Sequence, residues 1–133
     1  MCLYTTQTKS LIAKKDITCY KVVHLHENET LFRSEFRFFE YKIGRVYSLC
    51  TSVKQWVPNQ YGNMYSGFHS FTTLRNALTY GGKHMALLKC VIPKGARYYV
   101  GDFGNGSCTQ YCSNRIRVVA WKPMWRGKWS TEL

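Results

Sequence analysis

The chain has 133 residues, with nineteen lysines and arginines against seven aspartates and glutamates, so its formal charge is +12. Hydrophobic residues at 45% exclude disorder as the governing state, and the length suits a single domain over residues 1–133 with one ordinary core. A cationic excess of that size points to anionic partners and leaves the fold open, while no apolar run reaches the roughly 18 residues that a helical membrane span needs.

Residues 1–15 are polar and read as an N-terminal arm laid against the body through Leu3, Leu11 and Ile12. Ile17 to Leu25, rich in β-branched and aromatic residues, predicts a strand. His26 to Ser34, with the acids Glu27 and Glu29, reads as a loop. Phe36 to Ile43 reads as a strand with both faces half-buried or a bulge, and Gly44 breaks it. Arg45 to Cys50 predicts another strand, and Thr51 to Met64 a long loop. Tyr65 to Phe71 predicts a short strand. Thr72 reads as the N-cap of a helix whose Leu74, Ala77 and Leu78 share one face and which stops at Gly81-Gly82. Met85 to Ile92 is a nearly continuous apolar run and predicts a central strand. Pro93-Lys94-Gly95 turns the chain into a strand over Arg97 to Val100, and a glycine-rich loop follows to Ser107. Arg115 to Trp121 alternates, with Ile116, Val118 and Ala120 on one face and Arg115 and Arg117 on the other. Several short strands with one helix predict an α+β domain built on a small split antiparallel sheet.

The first ten residues show no charged stretch followed by an apolar core, so no secretory signal is expected. Six cysteines (Cys2, Cys19, Cys50, Cys90, Cys108 and Cys112) are then expected as reduced thiols in a cytoplasm. His24 and His26 point to one face of a strand, but no third ligand stands at a known spacing, and the Cys108–Cys112 pair is too loose for a zinc knuckle. No metal is expected. The loop Gly101 to Gly106 is glycine-rich, yet no helix follows it as a phosphate-binding fingerprint requires, so a wide hairpin loop is the better reading. Between Ser66 and Ser130 the only acid is Asp102, which argues against a catalytic carboxylate pair there.

The strongest electrostatic feature is the C-terminal stretch. Arg115, Arg117, Lys122, Arg126 and Lys128 alternate with Trp121, Trp125 and Trp129, and no acid lies among them. Cations neutralise phosphates and indoles stack on bases, so this basic, Trp-rich tail over 122–133, with Trp121 before it, suits single-stranded nucleic acid. The same composition also suits tryptophans packed over the sheet edge with solvated charges beside them.

The segments Met1-Cys2-Leu3, Cys19-Tyr20-Lys21-Val22, Gly67-Phe68-His69-Ser70-Phe71, Cys90-Val91-Ile92-Pro93-Lys94-Gly95, Tyr98-Tyr99 with Gly101, and Tyr111 with Ser113 resemble a family of small proteins from gut anaerobes and their phages. The resemblance covers most of residues 1–120 and implies no particular activity. The order of Tyr20-Lys21, Gly67 to Thr72 and Val91 to Gly95 is also similar to that of ADP-ribosyltransferase-like domains, whose last strand would run here from Ser113 to Val119. That family carries an arginine or histidine where Lys21 stands, has no histidine at His69, and places a catalytic glutamate where Ser113, Asn114 and Arg115 stand. Without that carboxylate the group that stabilises charge at the ribose is missing. A relative of the RNA 2′-phosphotransferase type works without it and holds phosphates with basic residues.

The leading expectation is therefore a non-enzymatic, cytoplasmic binding protein for a phosphorylated anion, a nucleotide or cyclic nucleotide signal. The phage resemblance implies a host cytoplasm and sequestration of a defence signal. Lys21, His69, Arg115 and Arg117, with Ser70 beside them, would contact phosphates, and Tyr20, Phe68 or Tyr111 would stack on a base. No cofactor is expected; NAD enters only under the alternative of an ADP-ribosyltransferase-like or 2′-phosphotransferase-like enzyme. A second alternative is single-stranded nucleic-acid binding led by the C-terminal tail. The aromatic load and bare sheet edges raise self-association as a further expectation.

Overall fold

The computed structural model describes residues 3–25, 32–34, 40–82 and 85–132. In chain order these form β1 (Leu3–Tyr4), β2 (Leu11–Ile12), β3 (Ile17–Leu25), β4 (Phe32–Ser34), β5 (Glu40–Tyr41), β6 (Val46–Ser48), β7 (Asn63–Met64), β8 (Phe68–Phe71), α1 (Leu74–Tyr80), β9 (Met85–Ile92), β10 (Arg97–Gly101), β11 (Gln110–Ser113) and β12 (Arg115–Pro123).

β3 and β9 make the centre of the sheet. They pair antiparallel from Ile17 opposite Ile92 to His24 opposite Met85. The hydrogen-bonded order is β2-β10-β11-β8-β3-β9-β12-β6, with β4 on β3 and β5 on β4. β3 and β8 touch at a single pair, Tyr20 opposite Phe71, and part beyond it. The expected class is what forms: an α+β arrangement of a split antiparallel sheet and one short helix.

Asn114 alone separates β11 from β12, yet three strands lie between them in the hydrogen-bonded order. The sheet therefore curls round an interior. Asn114 pins the corner: its N–H donates to the Arg97 carbonyl (2.9 Å), its side-chain oxygen accepts from the Arg97 N–H (2.8 Å), and its carbonyl accepts from Leu49 (2.8 Å).

Side chains alternate across a strand, so Ala86, Leu88, Cys90 and Ile92 enter the interior with Cys19, Val23, Ile116 and Val118, closed by Tyr41 and Phe68. Leu87 faces the other way, under α1, with Val22, Phe71, Ala77 and Met124. A third cluster of Leu3, Trp56, Met64, Tyr99 and Cys112 lies under the β1–β7 pair. Two-sided cover explains why β9 reads as a continuous apolar run instead of an alternation. Gly101 is required here, because a Cβ at that position would run into the Tyr4 carbonyl and stand 2.6 Å from the Leu3 side chain.

Several boundaries differ from expectation. The helix N-cap is Thr73, whose hydroxyl accepts from the Asn76 N–H at 3.1 Å; the N–H of Thr72 is instead tied to the Thr109 carbonyl at 3.2 Å. The segment read as a loop over 26–34 contains β4, because Phe32 to Ser34 pairs with the end of β3. Of the strand expected over Phe36 to Ile43, only Glu40–Tyr41 is strand among the described residues, and 35–39 lie outside them. β11 was not expected, and it pairs along its whole length with β8 and β10. In the arm Leu3 is fully buried, but Leu11 and Ile12 are 44% and 50% exposed.

Candidate functional site

Lys21 sits on β3 one residue past the last pair with β8, where the two strands part. It is 7% exposed. Its Nζ donates to the main-chain carbonyl of His69 and lies 5.1 Å from the centre of the Tyr41 ring. It thus meets an acceptor that the split leaves without a strand partner. His69 is also 7% exposed, and its Nε2 stands 3.1 Å from the Met64 carbonyl. Burial, and next the Lys21 cation, hold its imidazole down to about 4, against the pull of carbonyls at Met64 and Gly67. Around neutral pH the ring is uncharged.

The remaining members of the expected cluster divide between the two faces of the sheet. Phe68 and Ser70 point into the interior, with Ser70 fully buried beside the Cys19 thiol, which burial pushes up to about 11. Tyr111 packs edge-on against Tyr98 at 5.6 Å, and burial raises its phenol. Tyr20 is on the opposite face, as are the exposed Arg115 and Arg117. Lys21 and His69 are thus close, while the two arginines stand on the outside of a different part of the sheet.

That outer face brings together another set. Thr18, Val91 and Arg117 form one row across β3, β9 and β12, and Tyr20, Lys89 and Ala120 form the next. Trp129 lies over this region with Lys89 Nζ 5.9 Å and Lys122 Nζ 5.7 Å from its ring centre, and the Tyr20 ring is 6.1 Å away. Cations at this distance from an indole are attracted to its π-face. Arg115, Arg117 and Lys122 follow one another along β12 over roughly 20 Å of extended chain. One acid intrudes: Asp16 Oδ2 is 3.9 Å from the Arg117 guanidinium.

The C-terminal tryptophans do not form one stacking row. A bulge between Val118 and Ala120 shifts the phase of β12, so Trp121 packs against the interior cluster and Trp129 against the outer one. The chain folds back so that Trp121 and Ser130 exchange main-chain hydrogen bonds at 2.9 Å, and the Trp121 indole donates to the Glu132 carbonyl at 2.6 Å. Trp125 is 61% exposed in the turn, with Arg126 and Lys128 exposed beside it. Lys89, part of the outer set, is not among the residues that the sequence points to as a site. Its signal is that it is the single cation inside β9.

Among the described residues no three His, Cys, Asp or Glu side chains gather as a metal site would require, and no helix is long and apolar enough to cross a membrane. Comparison with family models, with curated proteins and with solved structures finds no match to this chain.

Proposed function

We propose that this protein binds a phosphorylated anion of the nucleotide class without turning it over, and takes it as a single strand along the outer face of β3, β9 and β12. The observation that carries this reading is Trp129 flanked by Lys89 and Lys122, beside Tyr20, on the face that also holds Arg115 and Arg117. Aromatic platforms between cations bind unpaired bases by stacking and their phosphates by charge, and a sheet face is a recurrent place for them. The part of this face beyond α1, where Thr18, Arg115 and Arg117 are exposed, is extended, which suits a strand more than an isolated nucleotide. Lys21 and His69, each 7% exposed and engaged with main-chain carbonyls, lend no support to a transferase that would need both at its ligand. A cytoplasmic place of action accords with Cys19, Cys50, Cys90, Cys108 and Cys112 being free.

The test is fluorescence anisotropy of short labelled RNA and DNA single strands, with a thermal-shift panel of NAD, ADP-ribose and cyclic nucleotides alongside. The expected result is strand binding that weakens steeply with salt and falls about tenfold or more in Trp129→Ala, the loss of one stacked base. Thermal unfolding of the variant confirms that it remains folded. No strand binding at low salt, or equal binding by Trp129→Ala and by the Lys89→Ala/Lys122→Ala pair, overturns the reading. A thermal shift by one small nucleotide that persists at high salt would replace the strand with a compact ligand.

A further inference from the structure

β2 ends the hydrogen-bonded order of the large sheet and pairs only with β10 among the described residues. It is an edge strand, and its two side chains, Leu11 and Ile12, are 44% and 50% exposed. Beside it runs an open groove of about 520 Å³, whose apolar wall is completed by Ile17 and Tyr98. Lys14, Lys15 and Arg97 line the same groove. Aliphatic side chains, a bare strand edge and three cations therefore meet in one place, separate from the Trp129 platform.

We propose that this edge receives an extended acidic–aliphatic peptide segment of a partner protein, added as a further strand on β2. Each part of the site matches one property of that occupant. A free strand edge offers main-chain hydrogen bonds to an extended chain, and alternate side chains of the incoming strand fall on alternate faces. Its aliphatic side chains would meet Leu11, Ile12 and Ile17, and its carboxylates would meet Lys14, Lys15 and Arg97. Lysines at a sheet edge ordinarily keep other strands away. On a chain of charge +12 they repel a second copy of the same protein, and they admit a strand of opposite sign. The lining also separates this site from a nucleic-acid surface: three of its four apolar side chains are aliphatic and offer bases no stacking plane.

The experiment uses the full chain and a labelled peptide of alternating glutamate and valine at physiological salt. Three controls accompany it: a proline-interrupted peptide of the same composition, an alternating lysine–valine peptide, and a single-stranded RNA competitor. The expected result is binding of the first peptide only, with the amides of Ser10 and Ile12, which alternate with the Ala13 N–H bonded to Ala96, gaining protection from hydrogen exchange. Lys14→Glu/Lys15→Glu should lose at least tenfold in affinity, and Ile12→Glu, an exposed position where folding is not at stake, should lose a similar factor. Trp129→Ala should bind the peptide as the parent does, so failure here and failure of the strand-binding reading remain distinct results. Absence of binding overturns the proposal. So does equal binding of the proline-interrupted peptide, or undiminished affinity in both groove variants. RNA that displaces the peptide and protects the same amides would also overturn it and give the groove to nucleic acid.

Discussion

Lys21 reaches across the fork between β3 and β8 and donates to the main-chain carbonyl of His69. A buried carbonyl without a donor costs about 1–3 kcal/mol, so a cation spent on it acts in the architecture of the split. Lys21→Met keeps the aliphatic stem and removes the donor. The variant should lose about 1–3 kcal/mol in chemical denaturation and bind single strands as the parent does. Because the Lys21 charge helps hold the His69 imidazole down, the His69 titration followed by NMR should also move up in this variant. Loss of strand binding in a folded Lys21→Met protein would return Lys21 to the ligand.

His69 makes stability depend on pH. Its folded value is about 4, below the ordinary 6.5, so the unfolded chain binds the extra proton more readily. Stability from this source is full above about pH 6.5 and falls as the pH drops toward 4, by an amount on the order of 3 kcal/mol. Urea unfolding at about pH 7, 5.5 and 4.5 should show the decline, and His69→Gln should flatten it. An unchanged slope in His69→Gln would assign the acid sensitivity to other groups.

Much of the frame is legible in the residues. β9 stands out because most of both its faces is covered, which leaves an apolar run broken only by Lys89, and β3 stands out by its β-branched and aromatic residues. The helix is legible from Leu74, Ala77 and Leu78, though Thr72 and Thr73 differ only in which one the Thr109 carbonyl claims. β11 escapes because Gln110 to Ser113 alternates in no hydrophobic sense; its identity comes from pairing with β8 and β10. The site was less legible for the same reason. Whether Lys21 lines a cleft or plugs a fork depends on where β8 leaves β3, which no local pattern encodes. The bulge at Val118 and Ala120 likewise separates Trp121 from Trp129, and a row of tryptophans in sequence becomes two faces in space.

The cysteines should divide by burial. Cys19 and Cys90 face each other across β3 and β9, both fully buried, and burial pushes the first thiol up to about 11 and the second well above its usual value. The thiolate is the reactive form, so neither should be alkylated in the native protein. Cys112 is equally enclosed, whereas Cys50 is exposed. Mass spectrometry after brief iodoacetamide treatment at mildly alkaline pH should find Cys50 modified first and Cys19, Cys90 and Cys112 only after denaturant is added. Early modification of Cys19 or Cys90 would mean that the β3–β9 centre opens readily.

Charge reversal on the outer face separates a specific track from the general pull of a +12 chain. Arg117 and Lys54 are both exposed, but Arg117 lies in the row with Val91 and Thr18, while Lys54 stands in the turn before Trp56, outside that face. Each substitution, Arg117→Glu or Lys54→Glu, lowers the net charge by two and changes long-range attraction alike. Only a cation in contact with a phosphate also removes a released counterion, and for single strands each such contact contributes about 0.7 to the slope of log affinity against log salt. Arg117→Glu should therefore weaken strand binding and flatten that slope by roughly 0.7, while Lys54→Glu should weaken binding slightly at low salt and keep the parent slope. Identical slopes in the two variants would mean that the strand follows the overall field of the protein and that the face of β3, β9 and β12 has no privileged part in holding it.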